Sequence, residues 1–119
     1  MAFAIITCSP VNTLVTDPRG RQIGLDLTTG AVINEIPGAA ISDLGTEPHI
    51  ILVPQVPGEY QVQSVGTNTG DYKVIALGIV ENDKKPKLMG YMTGTITISE
   101  TDGFTFNVPS LVHLPIILK

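Results

Sequence analysis

A chain with one cysteine, Cys8, and two histidines, His49 and His113, has few ways to set a nucleophile beside a base. Neither histidine sits in a catalytic motif, and no GxSxG elbow is present. A free cysteine most often behaves as a small buried hydrophobe, so Cys8 is read as core and the chain as one without a catalytic centre. A single cysteine also excludes an internal disulfide and any CxxC metal site.

Oxygen ligands are better supplied. Asp17, Asp26, Glu35, Asp43 and Glu47 lie in a loop-rich first half, and calcium takes its ligands from loop carboxylates and carbonyls. Asp17, Asp26, Asp43 and Glu47 are therefore calcium candidates, although their spacing matches no known calcium loop; no other cofactor is implied. Asp17 is equally well explained as the first residue of the turn Asp17-Pro18-Arg19-Gly20, and Asp26 as the cap of the Thr28-Thr29-Gly30 turn. Glycan binding would call for exposed aromatic platforms. The chain has no Trp and offers only Phe3, Tyr60, Tyr72, Tyr91, Phe104 and Phe106, of which Tyr60 and Tyr72 fall at strand positions suited to cross-strand packing. Gly66-Thr67-Asn68-Thr69-Gly70 joins two strand-like runs and opens no helix, so it is not a phosphate cradle.

The elements that must position these residues are short. Gly and Pro supply 12 and 9 residues and punctuate the chain so regularly that no amphipathic helix of ordinary length fits between them. Between the breaks lie runs rich in Val, Ile, Thr and Tyr, which suit a pleated, half-buried surface. Strands are expected at about 3–8, 11–16, 21–25, 31–36 and 49–53. Residues 60–65 and 72–80 are expected to form one hairpin, and 91–99 and 104–108 a second. Glu81 to Lys87 reads as a polar loop and Thr101-Asp102-Gly103 as a turn. Roughly seven to nine strands with turn signals at this spacing predict an all-β antiparallel sandwich of immunoglobulin-like or jelly-roll-like form. Its expected core is Val11, Val15, Ile51, Val53, Tyr60 and Val62 from the first half, completed by Tyr72, Val74, Ile96, Ile98, Phe104 and Phe106.

With 119 residues, 43% apolar and 15% charged, the chain reads as one folded domain spanning residues 1–119. Net charge is −4 and the basic residues are scattered apart from Lys84, Lys85 and Lys87, which argues against a nucleic-acid partner. No run approaches the roughly 20 apolar residues of a membrane-spanning helix. Met1 to Ile6 lacks the form of a secretion signal, so the chain is either intracellular or preceded by a signal elsewhere. Residues 109–119 form an apolar C-terminal tail, with Leu111, Val112, Leu114, Ile116, Ile117 and Leu118 between and beyond two prolines. Such a segment must be covered: residues 110–118 are expected either to pack along their own sandwich or, as an edge, to pair edge to edge with a second copy.

Three segments, SPVNTLVTDPRGRQIGLD (9–26), NEIPGA (34–39) and EPHIILVPQVPGEYQVQSVGTNTGDYKVIAL (47–77), carry a resemblance. Together they resemble the immunoglobulin-like or pre-peptidase-C-terminal-like β-sandwich modules at the ends of large secreted bacterial proteins. The pattern PGEYxVxxxGTxTGxYxV at Pro57 to Val74 is its most telling part. The resemblance implies a non-catalytic structural or interaction module of an extracellular or cell-surface bacterial protein, partnered by other domains of its parent or by another protein chain. The alternative it implies is a calcium-dependent or carbohydrate-binding sandwich.

Overall fold

The computed structural model describes residues 2–42, 49–54, 56–80 and 83–108, and these residues contain no helix. The β-branched and aromatic runs form ten strands: β1 (Ala2–Cys8), β2 (Val11–Thr16), β3 (Gln22–Leu25), β4 (Val32–Asn34), β5 (Ala40–Ile41), β6 (His49–Pro54), β7 (Gly58–Gly66), β8 (Gly70–Val80), β9 (Asp83–Ile96) and β10 (Thr101–Val108). All pairings are antiparallel, in two five-stranded sheets of order β5-β6-β1-β8-β9 and β10-β7-β2-β3-β4. The all-β sandwich is therefore present, with ten strands in place of seven to nine because the short β5 joins the nine expected runs. The β2–β3 hairpin forms as expected, closed by Gly20, whose φ of 81° suits a residue without Cβ.

Both later hairpins are corrected. β7 lies in one sheet and β8 in the other, and β9 and β10 are likewise divided. A Gly-rich link resembles a hairpin turn in sequence, but here it carries the chain over from one sheet to the opposite one. β7 and β8 act as one bent strand, and β9 and β10 follow it around the corner in unbroken register, from Ala76↔Gly90 to Gly70↔Ile96 and on from Val65↔Thr101 to Gly58↔Val108. On the other side β1 and β2 make the same bend, where Ser9 and Pro10 span the distance that residues 67–72 cover. The corner's backbone groups stay bonded: Thr67 N–H donates to Pro10 O at 2.8 Å, Gly66 N–H to Glu100 O at 2.8 Å and Ser99 N–H to Gly66 O at 2.9 Å. The turn on the β9–β10 side falls at Ile98–Ser99, and Thr101–Gly103 belongs to β10. The polar 81–87 stretch is likewise not all loop, since β9 starts at Asp83 and Val80 pairs with Asp83.

The core lies between the sheets. Phe3 from β1 stands edge-on to Tyr60 and Phe106, at 4.7 and 5.1 Å between ring centroids, while Tyr60 and Phe106 stack at 5.4 Å as a cross-strand pair. Val11, Val15, Ile51, Val53, Val62, Tyr72, Val74 and Ile96 join them as expected. Phe104 is only half-buried and Ile98 is 63% exposed, because it sits in the corner turn and not on a sheet face. Cys8, read as core, is half-buried at the end of β1. The apolar tail at 109–119 lies outside the described residues.

Candidate functional site

The β2–β3 turn builds the most enclosed charged group among the described residues. Asp17 accepts hydrogen bonds from the backbone N–H groups of Arg19 (2.9 Å) and Arg21 (2.8 Å), and its second oxygen takes the Arg21 Nε–H at 2.7 Å. Its side chain is 2% exposed. Burial alone would raise its pKa, but the bonds from Arg21 and Arg19 outweigh it and hold the carboxyl below the ordinary aspartate value. One turn later Asp26 accepts the N–H groups of Thr29 and Thr28, both at 2.8 Å, and these bonds lower its pKa on the open surface. Glu35 accepts the Gln22 N–H at 3.0 Å. These carboxylates do not converge: among the described residues no group of three or more His, Cys, Asp or Glu is placed to hold a metal ion. Asp43 and Glu47 lie outside the described residues.

A second cluster sits at the corner. The Tyr72 hydroxyl donates to Asp102, Asp71 accepts from Thr95 Oγ1 at 2.9 Å, and Glu100 accepts the Thr97 N–H at 3.0 Å. Burial, then the Asp102 hydrogen bond and the negative charges of Asp102 and Glu100, push the Tyr72 phenol up to about 12. These carboxylates tie β8, β9 and β10 together where the ribbon bends.

Between the sheets, Thr7 Oγ1 donates to Thr13 Oγ1 at 3.1 Å, and Thr13 Oγ1 and Ser64 Oγ share a hydrogen bond of 2.7 Å. All three residues are buried, and with His49 they border or adjoin a recess of about 10 Å³, about the room that one water occupies and far less than a substrate needs. His49 stands opposite Thr7, so it shares the inner face of its sheet, whereas Cys8, one residue on, belongs to the outer face. The alternation thus separates the cysteine from that histidine; His113 lies outside the described residues.

The surface feature that the residue types did not announce is the outer face of the β5-β6-β1-β8-β9 sheet. Register aligns Leu52, Ala4, Leu77 and Leu88 in one row across β6, β1, β8 and β9. The next row holds Ile50, Ile6, Ile75 and Tyr91. Leu52, Leu88 and Tyr91 are 43%, 53% and 60% exposed, and Leu88, Tyr91, Ile75, Lys73 and Thr93 line a shallow depression. On the opposite sheet the outer face is polar where β2, β7 and β10 lie side by side, presenting Thr16, Gln61 and Thr105 beside Glu59, Gln63 and Thr101. A sequence signal for this difference exists. Phe3-Ala4-Ile5-Ile6, Ile50-Ile51-Leu52-Val53 and Val74-Ile75-Ala76-Leu77 are continuous apolar runs, the mark of strands covered on both faces, whereas Glu59 to Ser64 alternates. No protein-family model, curated protein or solved structure matches the chain.

Proposed function

We propose that the chain is a non-catalytic structural module, an accessory domain of an extracellular or cell-surface bacterial protein that works against other domains of its parent or another protein chain. One observation carries the reading: among the described residues, the turn and corner carboxylates and the buried hydroxyls are engaged in holding the sandwich in shape. Asp17 and Asp26 close their own turns, Asp102 and Glu100 hold the corner, and Thr7, Thr13 and Ser64 bond one another across the two sheets. The location and the accessory role rest on the resemblance of segments 9–26, 34–39 and 47–77 to secreted β-sandwich modules.

Thermal unfolding in millimolar calcium and in chelator tests this reading against the calcium-dependent alternative. A ligand bound only by the folded state raises the melting temperature by mass action. The structural module melts at the same temperature in both solutions; a chelator-reversible rise with calcium would instead assign the loop carboxylates, Asp43 and Glu47 included, to a metal site.

A further inference from the structure

We propose that the outer face of the β5-β6-β1-β8-β9 sheet is the docking site for the chain's own C-terminal segment, residues 109–119, which covers the two apolar rows within the same molecule.

The size of the face selects this occupant. Four strands about 4.8 Å apart and two rows of side chains about 7 Å apart along each strand outline a patch of roughly 200–300 Å². A stable interface between two proteins takes about 800 Å² from each partner, so the rows are too small to hold a second copy alone. They match the footprint of one extended peptide. The tail has the complementary chemistry, with Leu114, Ile116, Ile117 and Leu118 and no acidic residue from Pro109 onward.

Its point of departure fits as well. Val108 pairs with Gly58, the first residue of β7, so the described ladder ends there, and the next residue in the sequence, Pro109, has no N–H to donate. A Cβ on Gly90 would meet the Phe104 ring at 2.7 Å, which places β10 alongside β9. Running away from the corner, β10 therefore ends toward the row that contains Leu88. Sheets pack about 10 Å apart, so about five extended residues at roughly 3.3 Å each carry the chain around the β9 edge. The remaining residues, from Leu114, reach the rows.

The chain has no tryptophan, so Tyr91→Trp in the 119-residue chain places a single emitter within the second row. Docking of the tail predicts a monomer by sedimentation at all concentrations, with blue-shifted emission protected from acrylamide. Adding Ile116→Asp and Ile117→Asp shifts that emission to the red and exposes it to quencher while far-ultraviolet circular dichroism is retained. As a second measurement, Leu88→Cys with Leu114→Cys in a Cys8→Ser background forms an intramolecular disulfide on mild oxidation, read by mass as a monomer. Solvent-like emission in the parent overturns the proposal, as does blue-shifted emission that ignores the tail aspartates. So does a dimer whose dilution reddens the emission, or cross-linking only between molecules, either of which would assign the face to a second copy.

Discussion

The Asp17 carboxylate sits among donors from its own turn, and two opposing effects set its acidity: burial disfavours the charge, while Arg21 and the turn's N–H groups favour it and prevail. Asp17→Ala leaves two backbone donors and the Arg21 guanidinium without that acceptor, and should cost about 1–3 kcal/mol at neutral pH. The sign of the pH dependence follows from a folded pKa lying below the unfolded value. The contribution is fully present above the unfolded aspartate pKa of about 3.9 and is lost as pH falls through the lower folded value. Denaturant melts of the parent and Asp17→Ala should therefore differ at pH 7 and converge on acidification; a gap that persists at the lowest pH would assign the effect to something other than the charge.

At the scale of the element, the corner distinguishes this sandwich from a stack of hairpins. Gly66 is where β7 meets β10 and the bend, and a Cβ there would lie 2.1 Å from the Thr97 carbonyl oxygen and 3.0 Å from its carbon. The obstacle is backbone, held by the bonds that Gly66 exchanges with Ser99 and Glu100, so it has little freedom to retreat. Gly66→Ala should lose more than about 2 kcal/mol. Gly20 makes the comparison: a Cβ there meets nothing within 4 Å, and only its φ of +81° opposes a side chain. Gly20→Ala should cost about 1–2 kcal/mol, the ordinary penalty of the left-handed region. Equal losses in the two variants, measured by chemical denaturation, would show that the corner is not sterically locked.

Over the whole molecule, the two sheets are joined where Phe3 stands edge-on against the stacked pair of Tyr60 and Phe106. Tyr60 is fully buried, and its hydroxyl accepts the Val56 N–H at 3.2 Å. Tyr60→Ala should remove about 3–5 kcal/mol, while Gln61→Ala, one residue on and pointing to the polar outer face, should stay within about 0.5 kcal/mol of the parent. The contrast tests the alternation along β7 directly: comparable losses would mean that its two faces are not divided between core and solvent.

Strand positions, the β2–β3 turn and most of the core were legible in the sequence because they depend on local chemistry: β-branched runs, Pro and Gly at fixed turn positions, and alternation such as that from Glu59 to Val65. Asp17 and Asp26 as turn residues were legible for the same reason, since a short carboxylate bonds the backbone a few residues on. Which strands pair was decided only in three dimensions. A Gly-rich link such as 66–70 can reverse the chain within a sheet or carry it to the opposite one. The choice depends on what the flanking strands bond to, here Pro10 and Glu100 across the corner. Ile98 was misplaced for a related reason, because period-two alternation continues through a turn on paper but the chain does not continue through it in space. The apolar outer face needed both levels. Its continuous runs along β1, β6 and β8 are visible in the sequence, but only the register that sets these strands side by side, with β9 beside them, makes a single surface of them. Side-chain type is a property of each residue alone, whereas a surface is a property of neighbours that the chain brings together from far apart.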